Sequence, residues 1–297
     1  MKKHRKKRLA AFAAAGALVL CLAACGTAPE GGGTAGGDGE VPTVAELIAA
    51  AQASETEVTS MCCDLVLTIT IDMEDETIPM TSTGNIDYTM DPLVMRQDMI
   101  VDMGEYGSTH VLSYAAEENG MYVIYSGVET GEDEYYWIKQ TTADMDAIAQ
   151  YDAKANMEEY LSIADNFQIV GLESVNGQDA WHIAGVFTGD DLSQVLESSG
   201  VLSSVNIDTE IAELLTNNLG DLPIDMWITA DEYLPVKYEM DMTDLVQKLV
   251  AAVLVEDPEQ ELVNISQMHL AMTVTEINTI DKIVIPDAAL AAAELEL

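Results

Sequence analysis

Residues 61–73 (MCCDLVLTITIDM) decide the fold because their apolar side chains recur at every second position. One face of this segment carries Cys63, Leu65, Leu67, Ile69, Ile71 and Met73. The opposite face carries Asp64, Thr68, Thr70 and Asp72. A period of two is that of a β-strand with one buried face. The segment therefore predicts a long strand of an antiparallel sheet, with one face packed against the core and the other face exposed to solvent.

The same alternation recurs along most of the remaining chain. Asn176-Gly177 is a strong signal for a hairpin turn between two of these segments. Further strands are predicted at 77–90, 94–103, 108–117, 121–126, 134–140, 167–174, 179–187, 222–230, 234–242 and 265–277. Strands that follow one another through short turns predict an antiparallel meander.

Helical segments interrupt the strands. Thr43 and Glu46 have the spacing of a capping box at the start of the first helix. Further helical patterns occupy 143–165, 190–199, 208–218 and 244–255. Because sheets of this size curl, the predicted fold class is α+β: a large curved antiparallel sheet, an unclosed half-barrel of about nine to eleven strands, with helices covering the concave face.

The N-terminal sequence is typical of an export signal. Six of the 12 Lys and Arg residues lie within the first eight positions, and a 16-residue apolar stretch follows at 9–24. That stretch is short for a membrane span and suits a signal peptide. It ends in Leu22-Ala23-Ala24-Cys25-Gly26, which resembles the lipobox of bacterial lipoproteins. The resemblance implies cleavage before Cys25 and lipidation of that residue; the alternative is an ordinary secretory signal with a chance cysteine.

The domain organisation follows from this leader. Residues 1–24 are predicted to be the signal peptide, and residues 25–40 the lipidated Cys25 with a tether that is rich in glycine. Residues 41–297 are predicted to form one domain. The expected location is extracytoplasmic, with the lipid on the outer face of the cell membrane, in a Gram-positive bacterium.

The charge of the chain limits its partners. It contains 52 Asp and Glu against 12 Lys and Arg, and half of the basic residues belong to the leader. A nucleic-acid partner is excluded, because binding needs a basic surface that displaces counterions.

No cofactor, metal site or enzyme activity is expected. His110, His182 and His269 fit no zinc-binding spacing, and no nucleophile elbow is present. His182 is interpreted as a solvent-side or locally hydrogen-bonded residue. Cys62 and Cys63 are adjacent, so on a strand they point to opposite faces and cannot bond each other without distortion. Cys63 is assigned to the core, and Cys62 is expected to be a free or half-exposed thiol.

Methionine is the informative anomaly, with 16 Met against three Phe. Met is unbranched and polarizable, so it suits an apolar surface that adapts to variable shapes. A Met-lined sheet could hold acyl chains, whereas the alternative is that Met fills an ordinary core. The candidate cavity residues are Leu67, Ile69, Met80, Met95, Met99, Met103, Met226, Met240, Met268 and Met272.

Two motifs carry a family resemblance. The segment 227–240 (WITADEYLPVKYEM) and the hairpin 175–183 (VNGQDAWHI) resemble LolA-like bacterial lipoproteins, including the LppX-LprG-like group. The resemblance implies an unclosed barrel with a helical lid over a hydrophobic cavity. The function that it implies is binding of a lipid or an acylated molecule. The alternative is a protein-interaction or envelope-sensing module that has a filled core and a protein partner of unknown identity.

Overall fold

The computed structural model describes residues 41–54, 58–73, 76–118, 121–131, 134–142, 167–188, 221–254 and 264–294. Twelve strands are Ser60–Met73 (β1), Glu76–Met90 (β2), Leu93–Asp102 (β3), Ser108–Glu118 (β4), Met121–Gly131 (β5), Glu134–Thr142 (β6), Gln168–Val175 (β7), Gln178–Phe187 (β8), Leu222–Thr229 (β9), Pro235–Asp241 (β10), Asn264–Ile277 (β11) and Ala293–Glu294 (β12). Within these residues, the helices are Val44–Ser54 (α1), Thr243–Leu254 (α2) and Asp287–Leu290 (α3), and a 3-10 turn is formed by Gly104–Tyr106.

The predicted strands are confirmed, and their limits agree within two residues except for β5, which was predicted to end at residue 126 and ends at Gly131. The short strand β12 and the helix α3 were not predicted. The helices expected at residues 43 and 244 are α1 and α2. The three helices predicted at 143–165, 190–199 and 208–218 lie outside the described residues.

All twelve strands form one sheet in the order β12-β6-β5-β4-β3-β2-β1-β11-β10-β9-β8-β7. Two antiparallel meanders, β1 to β6 and β7 to β11, meet where β1 pairs with β11. Leu67 is directly opposite Leu270 in the middle of that pairing. β12 adds to β6 as a parallel strand. The predicted class, a large unclosed and mainly antiparallel sheet, is confirmed.

The two faces of the sheet differ in composition. We call the face that carries Leu67 the inner face and the face that carries Thr68 the outer face. The main hydrophobic core lies on the inner face, where Leu47 and Ala51 of α1 and Leu245 of α2 belong to the same buried cluster as Leu67. Burial of these helix residues against the sheet removes apolar surface from water and fixes both helices on the inner face.

The capping box that the sequence predicts closes the first turn of α1. The backbone N–H of Thr43 donates to Glu46 Oε2 at 2.8 Å, and the backbone N–H of Glu46 donates to Thr43 Oγ1 at 3.2 Å. These two bonds satisfy donors that a helix N-terminus otherwise leaves without partners.

Among the described residues, no helix is long and apolar enough to cross a membrane.

The C-terminal segment after β11 covers part of the outer face. Ile283 and Ala289 belong to one buried cluster with Tyr114, Val123 and Tyr125 of β4 and β5. The segment is attached where β11 ends, because the backbone N–H of Ile280 donates to Ser60 Oγ at 2.9 Å. It is attached again at its end, where the backbone N–H of Thr141 donates to Glu294 Oε1 at 2.8 Å.

Candidate ligand-binding face

The inner face brings the predicted cavity residues together. Each of the ten lies on an inward position of its strand or, for Met103, directly after β3. The nine that are fully buried are Leu67, Ile69, Met80, Met95, Met99, Met226, Met240, Met268 and Met272, and Met103 is half-buried against the same cluster.

Cross-strand register makes these side chains neighbours. Met272 on β11 is directly opposite Leu65 on β1 and Tyr238 on β10. Tyr238 is in turn opposite Met226 on β9. Side chains directly opposite each other in an antiparallel pair are in contact range. One continuous row of long, apolar side chains therefore crosses four adjacent strands.

Gly84 marks a close approach between β2 and β3 on the same face. It lies between Leu65 and Met99 in the cross-strand register. A Cβ placed at residue 84 would lie only 1.9 Å from the backbone oxygen of Asp98. A glycine is therefore required there, and position 84 adds no side chain to the inner face.

A polar row interrupts the apolar inner face. The row crosses three adjacent strands: Gln97 on β3 is directly opposite Ser113 on β4, and Ser113 is directly opposite Ser126 on β5. Gln97 and Ser113 are each only 3% exposed, and Ser126 is half-buried. Sequence reasoning missed this row. The available signal was that Gln97 falls on the inward phase between Met95 and Met99.

A groove of about 510 Å³ lies at the edge of the sheet formed by β7 and β8. Its lining includes Ile169 and Val170 of β7, Gly185 and Val186 of β8, and Thr188. None of the ten cavity candidates lines this groove. The groove and the methionine-rich part of the inner face are thus separate features.

On the outer face, an ionic network joins β2, β3, β4 and β6. Arg96 Nη1 lies 2.9 Å from Asp87 Oδ2, and Arg96 also pairs with Asp98. His110 Nε2 lies 2.5 Å from Asp98 Oδ1, and His110 Nδ1 lies 2.7 Å from the hydroxyl of Tyr135. The pairs Arg96–Asp87 and His110–Asp98 connect adjacent strands, as cross-strand pairs of opposite charge do, whereas the contact between His110 and Tyr135 joins β4 to β6 across β5.

A second outer-face network centres on His182, in agreement with its interpretation as a locally hydrogen-bonded residue. The imidazole stacks on Trp227 with ring centroids 4.2 Å apart. Its two nitrogens lie 3.0 Å from Glu173 Oε1 and 2.6 Å from Asp225 Oδ1. Trp227 Nε1 donates to Glu173 Oε2 at 2.9 Å, and Lys237 Nζ lies 4.1 Å from the indole centroid. Hydrogen bonds from Trp227 and His182 lower the pKa of Glu173.

The outer face offers no metal centre within the described part of the chain. No three or more His, Cys, Asp or Glu side chains there lie close enough to hold an ion. His269 is half-buried on β11.

The two adjacent cysteines lie as the sequence predicts. Neither Cys62 nor Cys63 is in a disulfide; Cys62 is half-buried and Cys63 is buried. Desolvation raises the pKa of Cys62 to about 11, and the neighbouring carboxylate of Asp87 adds to the shift. Because the thiolate is the reactive form, Cys62 is a poor nucleophile at neutral pH.

Comparison with known proteins gives a family and a set of distant folds. No curated protein matches the sequence. The crystal structure of the lipoprotein LppX from Mycobacterium tuberculosis matches with 11% identity and a TM-score of 0.41, over 80% of this chain and 97% of that chain. LprF from Mycobacterium bovis matches with 13% identity and a TM-score of 0.42, over 83% of this chain and 97% of that chain. LppX is a lipoprotein of the group that the two sequence motifs resemble.

The family assignment depends on sequence. The model of the family of unknown function DUF6612 matches residues 43–294, which span α1 to β12. The match covers the whole sheet and both helices of the inner face. The chain therefore belongs to the DUF6612 family of unknown function.

Proposed function

We propose that this chain is a membrane-anchored extracytoplasmic lipoprotein that binds a hydrophobic ligand, a lipid or a lipidated molecule, on the inner face of its sheet. The observation that carries the proposal is the row of methionine, leucine and tyrosine side chains that crosses β9, β10, β11 and β1. The two methionines of this row, Met226 and Met272, adapt their shape at low cost, which suits acyl chains of variable length and branching. The proposed role is binding and not catalysis.

The charge distribution supports a ligand that enters an apolar space. The chain carries a formal net charge of −40, while the main inner-face cluster is hydrophobic and the polar row beside it (Gln97, Ser113 and Ser126) is uncharged. A neutral apolar ligand is the chemistry that matches such a face, because burial of apolar surface is favourable and an unpaired charge would be costly.

The anchor in this proposal is the lipid on Cys25. The lipobox 22–26, the glycine-rich tether at 26–40 and the domain at 41–297 support an arrangement in which the sheet stands off the membrane. Substitution of Cys25 by Ala is expected to abolish metabolic labelling with radioactive palmitate and to release the chain from the membrane fraction. Retention of both in Cys25→Ala would refute the anchor.

Mass spectrometry of the purified full chain tests the ligand. Wild-type protein is expected to carry lipid in stoichiometric amount after removal of excess detergent. Met99→Gln places an amide on the inner face and is expected to reduce that amount. Ile100→Gln is the matched control, since Ile100 is the next residue of β3, lies on the outer face and is 51% exposed.

A filled core is the second candidate, with a protein partner instead of a lipid. It is favoured by the full burial of nine of the ten candidates and by the position of the groove away from them. In that case wild-type, Met99→Gln and Ile100→Gln proteins would all be free of lipid. Crosslinking in intact cells would then capture one defined membrane or envelope protein.

A further inference from the structure

The polar row of the inner face contains a buried hydroxyl that the protein itself leaves unpaired. Among the described residues, none donates a hydrogen bond to Ser113 Oγ or accepts one from it, and Ser113 is 3% exposed. Gln97 is directly opposite on β3 and equally buried, yet no hydrogen bond joins the two side chains. A buried hydroxyl without a partner is costly and is rare in native proteins.

The register shows where these groups point. Ser113 shares its row with Ile86, Gln97 and Ser126, and the adjacent inward positions on β3 are Met95 and Met99. Polar side chains on this row are thus surrounded by the apolar surface that we propose as the ligand site. The unpaired hydroxyl therefore faces the ligand site and not the solvent.

The row also limits what the ligand can be. It contains amide and hydroxyl groups but no charged side chain, so a carboxylate or a phosphate would remain without a counter-ion. A carbonyl oxygen has two lone pairs and can accept from the Ser113 hydroxyl and the Gln97 amide together. An ester carbonyl with an attached acyl chain satisfies both the polar row and the adjacent methionines.

We propose that Gln97 and Ser113 bind the ester carbonyl of an acyl lipid such as a diacylglycerol. This inference rests on the proposed lipid-binding function and names the ligand class within it. The same acyl ester occurs in membrane glycerolipids and in the diacylglycerol group of lipidated proteins. Both sources share the chemistry that the row recognises.

Competition between matched lipids tests the proposal. The full chain, purified in nonionic detergent, is given equal concentrations of a diacylglycerol and of the dialkyl ether with the same chains, and native mass spectrometry measures the occupancy of each. The ether lacks only the carbonyl groups. Wild-type protein is expected to prefer the ester by about 10-fold, as expected for one to two net hydrogen bonds.

Substitutions assign that preference to the row. Ser113→Ala with Gln97→Met is expected to bring the ester-to-ether ratio close to one while ether binding persists. Met99→Leu, a volume-conserving change at the next inward position of β3, alters both affinities together and keeps the ratio. Gln97→Met alone is a second variant that removes one donor and lowers the ratio in part. A diacylated lipopeptide as a further competitor distinguishes a lipidated protein from a free glycerolipid as the preferred source.

The outcomes separate the two proposals. Equal binding of ester and ether by wild-type protein, or a preference that survives in the double variant, would overturn the role of Gln97 and Ser113 and leave lipid binding intact. Binding of neither lipid would overturn both proposals. A preference for the ester that the double variant loses supports both.

Discussion

Ser113→Ala is expected to stabilise the ligand-free protein, although it removes a buried polar group from a strand. The hydroxyl is 3% exposed and has no partner among the described residues. Leaving such a group buried and unpaired costs about 1–3 kcal/mol, and alanine keeps the Cβ so that only one heavy atom is lost. A net gain of about 1 kcal/mol corresponds to a rise in Tm of about 2–4 °C for a domain of this size.

Ser60→Ala is the matched control for this experiment. Ser60 is also a fully buried serine on a strand, but its Oγ accepts a hydrogen bond from the backbone N–H of Ile280 at 2.9 Å. Its removal leaves that N–H without a partner and is expected to destabilise the protein by about 1–2 kcal/mol. Urea unfolding of lipid-free protein, followed by circular dichroism, measures both variants. Destabilisation of both by similar amounts would refute the argument that Ser113 is unsatisfied.

Three further predictions concern packing, thiol chemistry and pH. Gly185→Ala is expected to destabilise the protein by about 1–3 kcal/mol, because the new Cβ would lie 1.9 Å from the ring of Phe167. Thermal unfolding measures this loss. Gly171→Ala is the neutral control, because no atom lies within 4 Å of the position of its new Cβ. Alkylation of Cys62 by iodoacetamide, followed by peptide mass spectrometry, should be slow at neutral pH and rise with pH towards a pKa of about 11; fast labelling at neutral pH would contradict this. Because hydrogen bonds in the folded protein hold the pKa of Glu173 below the ordinary value of a glutamate, its stabilising contribution is present above that ordinary value and is lost as the pH falls through the lowered pKa. Glu173→Gln should therefore flatten the acid-induced loss of stability.

Local patterns in the sequence are sufficient for the strands of this fold. Alternation at a period of two identifies β1 to β11, because each strand buries the side chains of one face and exposes those of the other face to solvent. Local patterns do not predict the pairing of β1 with β11. It joins residues as far apart as Leu67 and Leu270, and the alternation of each strand is compatible with several partners. Only the packing of the whole sheet selects this pair.

The C-terminal segment shows the same limit. Ile280, Ile283 and Ile285 pack against the outer face of β4 to β6, yet their spacing has neither the period of a strand nor that of a helix. Their burial depends on aromatic side chains such as Tyr125 and Trp137, which come from strands more than a hundred residues earlier. No local rule assigns such a segment to a core.

The candidate site was predictable in its apolar part and not in its polar part. The inward phase of the strands identified Met95 and Met99, because apolar residues at alternating positions are expected to be buried. The same phase includes Gln97, which the pattern does not identify, because a polar residue on a strand is expected to face solvent. That Ser113 has no partner could not be read from the sequence, because it depends on what surrounds its hydroxyl in the folded sheet.

The polar row separates the two interpretations of the inner face. If the face only fills a core, the unpaired hydroxyl of Ser113 lowers stability with no compensating function, because alanine at the same position would pack as well and leave nothing unpaired. If the face binds an ester, the same hydroxyl lowers the stability of the empty protein and is satisfied when the ligand is bound. The stabilising effect of Ser113→Ala should then disappear when diacylglycerol is present, since the wild-type protein gains more from the ligand than the variant does. A filled core predicts the same stabilisation with and without lipid, so the difference between the two unfolding experiments decides between these interpretations.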